Sequence, residues 1–245
     1  MSVTPSSEMT FWEHIDELRF RIISCLLVFF LTTVLSYLFV DQILHFIRQP
    51  IIEVIDSNSN IVEAFKGIMD PFFLSISTSL YSGLFLSLPV IIYSLLRFIF
   101  PAIKKGRFVF LSISVFFSIS LFALGAFLSY KVLFPISLQF LITFLPENSD
   151  IPLFVFVNEY VSLIFSVTVL VGLVFQLPII ALFLAKLKLV NYQILSTGRK
   201  YAILGAFIVS AIVTPPDIIS QILLSVPMLI LYEISILIVK IFNNE

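Results

Sequence analysis

The sequence predicts an all-α membrane protein with six transmembrane helices, and three observations carry that reading. Of its 245 residues, 60% are hydrophobic and only 12% are charged, with a mean hydropathy of +1.12. Soluble domains carry about 25% charged residues, so a soluble monomer of this size has no way to cover so much apolar side chain. Apolar runs of crossing length recur along the chain, separated by polar segments. Lysine and arginine collect in alternate segments between those runs, which is the asymmetry that sets orientation in membranes. A formal net charge of −1 leaves no electrostatic footprint for nucleic acid. The single cysteine, Cys25, excludes a disulfide framework and a cysteine-built metal cluster. The first apolar run follows a polar tail, is too long for a cleavable signal and lacks a cleavage site.

The first span is Ile22 to Val40. As a helix it reaches about 28 Å, against hydrocarbon about 30 Å thick. The second runs from about Phe72 to Phe100, the third from Phe108 to Phe134 and the fourth from Leu153 to Ala185. These three exceed one crossing and are expected to tilt, bend or extend past the bilayer. The fifth, Tyr201 to Val213, reaches only about 20 Å. The sixth runs from Ile218 to Val239. Between the last two stand Thr214, Pro215, Pro216 and Asp217. Adjacent prolines cannot continue a helix, so a tight hairpin joins a short pair of helices. Inside the spans, Pro89, Pro178 and Pro227 each remove a backbone donor and predict kinks. Pro50 marks a further bend, beside the apolar Ile51, Ile52, Val54 and Ile55 of a segment expected to lie along the interface. The second and fourth spans share Gly-Leu-x-x-x-Leu-Pro, at Gly83 to Pro89 and Gly172 to Pro178. A parallel internal repeat and a coincidence between leucine-rich helices both stand as explanations. Bent helices with short partners predict a concave body, and residues 1–245 read as one integral membrane domain.

Orientation follows from the cations. Arg19 and Arg21, then Arg97, Lys104, Lys105 and Arg107, then Lys186, Lys188, Arg199 and Lys200, and finally Lys240 all fall on one side. Only Arg48, Lys66 and Lys131 fall on the other. Both termini are therefore expected in the cytosol, or in the matrix of a mitochondrion. The 28 phenylalanines against 7 glycines are the skew of AT-rich coding. An organelle-encoded protein of the mitochondrial inner membrane or a protein of a bacterial plasma membrane fits that skew.

Catalytic chemistry finds no support. His14 and His45 both lie outside the spans, and the chain has no His-Glu-x-x-His motif and no glycine-rich phosphate loop. No enzyme activity, cofactor or metal is expected. The few polar groups inside the membrane are therefore the informative ones. Gln176 lies ten residues before Lys186, at a depth of about 15 Å. Its amide needs partners there, either within the fold or on a partner helix. Glu233 lies seven residues before Lys240, about 10 Å in, and must be paired, protonated or wet. A hydrogen bond to the hairpin of the last two helices satisfies it, and so does a partner. Gln221 stands close enough to the outer end to reach the interface. Lys131 can snorkel, beside the interfacial Tyr130.

The tail Glu13-His14-Ile15-Asp16-Glu17-Leu18-Arg19-Phe20-Arg21 leads into the first span. At helical spacing Glu13 neighbours Glu17, and Arg21 follows Glu17 at i+4. One reading is a juxtamembrane helix whose charges pair internally. The other is a carboxylate site for a cationic partner, since guanidinium and carboxylate match geometrically.

These residues resemble a known family. From about Met9 to Phe242 the chain resembles TatC, the multi-spanning core of the twin-arginine protein translocase. His14 to Arg21 is similar to that family's His-Leu-x-Glu-Leu-Arg-x-Arg signature. The other landmarks follow in order: Pro71-Phe72-Phe73, Leu88-Pro89-Val90, Phe98-Ile99-Phe100-Pro101, Phe134-Pro135, Phe175-Gln176-Leu177-Pro178 and Val213-Thr214-Pro215-Pro216-Asp217 with Ser220-Gln221. The resemblance implies a cup-shaped fold with short fifth and sixth helices. It implies a receptor that binds arginine-pair signal peptides and passes folded proteins across an energised membrane. TatA/TatB-like single-span partners are implied, with a homo-oligomer inside a hetero-complex. Signal-peptide binding maps onto Glu17, with Asp16, Glu13 and Arg19 beside it. Partner-helix contact maps onto Gln176, and the outer hairpin onto Pro215, Pro216 and Asp217; Glu233 is a second candidate for partner-helix contact from its place in the membrane alone.

One departure bears on signal reading. The family's first inner loop carries a glutamate followed by a basic residue, and that glutamate is its second arginine-binding anion. Here the loop is Pro101-Ala102-Ile103-Lys104-Lys105-Gly106-Arg107-Phe108, without an acid, and Arg107 stands where the glutamate belongs. The segment from Lys186 to Lys200 also lacks acids. A relaxed signal requirement is expected. An assembly scaffold without signal recognition and a solute transporter remain the alternatives.

Overall fold

A computed structural model describes residues 11–57, 61–99, 107–142, 153–214 and 218–243. The order is α1 (Phe11–Leu38), α2 (Val40–Ser57), β1 (Ile61–Ala64), α3 (Asp70–Ile99), α4 (Arg107–Leu128), a π-helical turn (Ser129–Leu133), α5 (Phe134–Ile142), β2 (Leu153–Phe156), α6 (Val157–Val174), α7 (Leu177–Lys186), α8 (Tyr192–Thr197), α9 (Arg199–Val213) and α10 (Ile218–Asn243). Among the described residues five helical stretches are long and apolar enough to cross a membrane: Ile15–Leu38, Asp70–Phe98, Ser112–Phe140, Val157–Lys186 and Ile218–Ile241. The sixth crossing expected from the sequence corresponds to α9. Its 15 residues rise about 22 Å, short of the hydrocarbon thickness. Its partner α10 has 26 residues, so the pair is short on one side only.

Long-range contacts fix the directions. α1 runs antiparallel to α3, since Arg21 meets Ser94 and Thr32 meets Gly83. α4 runs antiparallel to α6, with Ser118 beside Gln176 and Ser129 beside Thr168. α9 runs antiparallel to α10, with Arg199 on Glu233 and Phe207 on Gln221. We call the end where α1 begins the proximal face. It also carries the end of α3, the turn after α7, α8 and the end of α10. α2, both strands, α5 and the start of α6 form the distal face.

Burial ranks the helices. Within the crossing window of α6 and α7, 61% of residues are buried, against none in the corresponding window of α1. Val161, Val167 and Val171 stand at the centre, each 2% exposed or less. α1 is thus peripheral and leans on α3. Gly83 makes that approach possible: a Cβ placed there would stand 2.6 Å from Thr33 Cα. Gly172 does the same for α6, where an added Cβ would stand 2.4 Å from the Phe122 ring of α4. The two Gly-Leu-x-x-x-Leu-Pro segments therefore share a local purpose, each seating an antiparallel neighbour on a glycine.

Several boundaries differ from the sequence expectation. The tail is not a separate surface helix, since α1 is continuous from Phe11. Residues 153–156, assigned to the fourth span, form β2, which pairs in parallel with β1 from Ile61↔Leu153 to Ala64↔Phe156. The third span runs through the π-turn and continues past Phe134 along α5. Pro178 breaks its helix outright. Its missing N–H would have bonded Val174 O, and the chain instead turns at Phe175 and Gln176 before α7 restarts. Pro89 and Pro227 stay inside α3 and α10, and Pro50 is buried inside the amphipathic α2. That helix turns Ile47 and Ile51 into the core and ties Arg48 to Glu63 of β1. Between α2, α3, α4 and α6 lies an open apolar cleft of about 540 Å³, the concavity that the bent spans predict.

Candidate functional site

On the proximal face, the sequence points to the start of α1. Glu17 and Arg21 are one helical turn apart, and Arg21 donates to Glu17 Oε1 from Nε at 3.1 Å and also from Nη2. Its third nitrogen, Nη1, donates to the carbonyl of Ser94 in the last turns of α3, at 3.4 Å. The guanidinium therefore joins α1 to α3. Both groups are largely shielded, with side chains 15% and 24% exposed for Arg21 and Glu17. The second carboxylate oxygen, Glu17 Oε2, is buried and has no hydrogen-bond partner. An ionised carboxylate offers about four lone-pair sites, so Glu17 is half satisfied. Asp16 and Arg19 on the same turn are exposed. Glu13 belongs to α1, while its side chain lies outside the described part of the molecule, as do residues 100–106 of the acid-free loop.

The rest of the proximal face is cationic and aromatic. Arg97 lies over the Tyr93 ring and donates to its hydroxyl at 3.2 Å. Lys200 and Lys240 lie 5.0 and 5.4 Å from the rings of Tyr201 and Tyr192. Lysine stems and tyrosine rings of this kind suit the headgroup level. α8 starts on an Asn191 cap, whose Oδ1 accepts from Ile194 N at 2.8 Å.

Gln176 sits at the α6–α7 break and is buried. Its Nε2 donates to Ser118 O at 3.0 Å, and its Oε1 accepts from the Ser118 hydroxyl. The break thus presents a side-chain amide to α4, closing a reciprocal pair in the membrane interior. Around it, Leu173 and Ile180 of the same helix pair and Phe116 and Phe117 of α4 face outward. Glu233 is bound in bidentate fashion by Arg199, at 2.7 Å from Nε and 3.0 Å from Nη2. Both side chains are about half exposed. Gln221 donates to Phe207 O at 3.1 Å, across the α9–α10 pair. Pro215, Pro216 and Asp217 lie outside the described residues.

Sequence reasoning therefore named both members of the Glu17–Arg21 pair, but of the pairs made by Gln176 and Glu233 it missed Ser118 and Arg199 as the partners. Arg199 had a signal: it stands nearly as far before Pro215-Pro216 as Glu233 stands after, so a hairpin brings them together. Ser118 had none, because serine in an apolar helix is ordinary and the α4–α6 register is a tertiary property.

Comparison with known proteins decides the family. Residues 13–227 match the family model described as Sec-independent protein translocase protein (TatC). The chain belongs to the TatC family. The TatC protein of Desulforapulum autotrophicum is 31% identical over 96% of this chain and 86% of its own length. The tatC-like protein ycf43 of Gracilaria tenuistipitata var. liui is 35% identical over 98% and 97%. A crystal structure of the twin arginine translocase receptor TatC in DDM superposes with a TM-score of 0.82 at 31% identity, over 93% of this chain and all of that one. The protein is thus a multi-pass membrane component of a twin-arginine translocase. Its role is in protein transport.

Proposed function

We propose that the chain is the core receptor of its translocase, taking arginine-bearing signal peptides at the proximal end of α1 and passing folded cargo across an energised membrane. The observation that carries this reading is the half-satisfied Glu17 carboxylate, largely shielded at the junction of α1 and α3, with its Oε2 atom buried and without a partner. A buried acceptor without a donor costs about 1–3 kcal/mol, and an incoming guanidinium offers that donor with a compensating charge. Asp16, Glu13 and Arg19 flank it on the same helical turns. Eleven of the chain's cations fall on the proximal side by the sequence count, which supports termini in the cytosol or matrix. Residence in a bacterial plasma membrane or a mitochondrial inner membrane follows from the same reading.

Single-span partners of the TatA/TatB kind are proposed to pack beside the α6–α7 break fixed by Gln176 and along the α9–α10 pair held by Glu233. The short α9 leaves a thinned edge for a partner helix. Copies of the chain assemble within that hetero-complex. Residues 1–245 act as one domain. With no acid in the 101–108 loop, Glu17 supplies one carboxylate where the family has two. The relaxed signal requirement then means that one guanidinium suffices in place of a pair. Glu17→Gln keeps the shape and removes the anion. Export of arginine-signal cargo by membranes carrying this variant is expected to fall at least tenfold, at about 1.4 kcal/mol per decade. Unchanged export would mean that the signal is not read at Glu17, and no export by the unaltered protein would favour the scaffold reading.

A further inference from the structure

Arg21 has an obvious effect on a cation-binding carboxylate: it competes. A fixed positive charge on Glu17 Oε1 repels an incoming guanidinium, and on charge alone its removal tightens binding. The geometry points to the opposite role. We propose that Arg21 is the positioning residue of the signal site, holding Glu17 by one oxygen so that the other is presented to the guanidinium of the signal. The proposal rests on the carboxylate site described above and adds to it the origin of arginine selectivity.

Three features of the geometry support it. Nε and Nη2 of Arg21 converge on the same atom, Glu17 Oε1, instead of spreading over both carboxylate oxygens. A fork-to-fork pair would have engaged Oε2 as well. Nη1 is anchored elsewhere, on Ser94 O of α3. The guanidinium therefore cannot slide into the bidentate register without leaving α3. As a result Oε2 stays without a donor although it is buried. The carboxylate is held in orientation and largely shielded, and its Oε2 lacks a donor. Oε1 already accepts two bonds, so a planar donor enters at Oε2, where two N–H groups of one guanidinium edge can converge as those of Arg21 do on Oε1. An ammonium is a compact point charge that gains less from one acceptor held in a fixed direction. Selectivity for arginine over lysine thus depends on the carboxylate being pinned, and only a side chain that spans Glu17 and Ser94 O together pins it. Lysine at position 21 keeps the charge but has no fork.

The test uses the purified full-length protein in detergent. Two synthetic peptides carry one arginine or one lysine before the same apolar stretch, and the ratio of their dissociation constants is measured on one preparation. Because both affinities come from the same sample, the ratio does not depend on how much of a variant is folded. The unaltered protein is expected to favour the arginine peptide about tenfold, the worth of one charge-assisted hydrogen bond. In Arg21→Lys and Arg21→Gln the ratio falls to about twofold or less, on the same scale. Glu17→Gln abolishes it. A ratio that survives both Arg21 variants while Glu17→Gln abolishes it overturns the positioning role. So does tighter binding of both peptides by Arg21→Gln, which marks Arg21 as a competitor. A ratio near one in the unaltered protein, or one untouched by Glu17→Gln, removes the carboxylate site itself.

Discussion

Gly83→Ala tests whether α1 depends on backbone contact with α3. The added Cβ would stand 2.6 Å from Thr33 Cα, 2.7 Å from Thr33 N and 2.3 Å from Thr33 Oγ1. The hydroxyl can rotate away, but the backbone atoms cannot. Carbon atoms pack at about 3.5–4.0 Å, so α1 must retreat by about 1 Å. The Thr32 hydroxyl, 2.8 Å from Gly83 O, then loses that bond and keeps only its own-helix carbonyls, Val28 and Phe29. Overpacking of this kind costs about 1–3 kcal/mol, and an interhelical hydrogen bond in a membrane about 0.6 more. Gly205→Ala is the internal control, since nothing lies within 4 Å of its Cβ. Alanine inside that helix is worth up to about 1 kcal/mol of added stability. Thermal unfolding in detergent reads both variants. Gly83→Ala should melt lower by about 2–4 °C per kcal/mol, and Gly205→Ala at or above the unaltered protein. Equal melting of the two variants would refute the claimed contact. Signal-peptide binding should fall with Gly83→Ala too, because the 3.4 Å Arg21–Ser94 bond bridges the same two helices.

Three further outcomes are expected. Gln176→Leu should cost about 1–2 kcal/mol in thermal unfolding, the upper range for polar pairs in membranes. Ser118→Ala should cost less, since the Ser118 carbonyl still accepts from Gln176 Nε2; the reverse order would contradict the pairing. Glu233→Arg places two guanidiniums together and should expose the segment around α8 to limited proteolysis. Combining it with Arg199→Glu should restore resistance, and failure of that rescue would show that the pair does not hold the α9–α10 ends. Cargo whose signal carries one arginine should be exported as well as cargo with a pair, whereas an absolute requirement for the pair would place a second anion outside α1.

How much of this was legible in the sequence divides along local and tertiary lines. The spans and the prolines follow from runs of single residues; five spans recur as membrane-length helices with shifted ends, and the fifth in order recurs as the shorter α9, packed antiparallel on α10. The β1–β2 pair was hidden. Ile61–Ala64 and Leu153–Phe156 are four-residue apolar segments far apart in the chain, and LFVF adjoining a leucine-rich helix reads as more helix. The π-helical turn was equally silent, because nothing in Ser129-Tyr130-Lys131-Val132-Leu133 departs from helical composition. Within the site, the Glu17–Arg21 pair was visible as an i, i+4 spacing. Its third partner, the Ser94 carbonyl, was not, because every residue carries a carbonyl and only the α1–α3 register selects this one. Sequence spacing thus raised a choice between internal pairing and a signal site. The structure shows that internal pairing takes one carboxylate oxygen and leaves the other.

The central claim is that cargo docks at the Glu17 carboxylate. A photocrosslinker replacing Asp16, the exposed neighbour of Glu17, tests it most directly in membranes challenged with radiolabelled cargo. The account predicts crosslinks to cargo bearing one arginine or a pair, and their loss when Glu17→Gln is introduced into the same protein. Crosslinks that persist undiminished in Glu17→Gln, or none at all with protein shown to be folded, would contradict it.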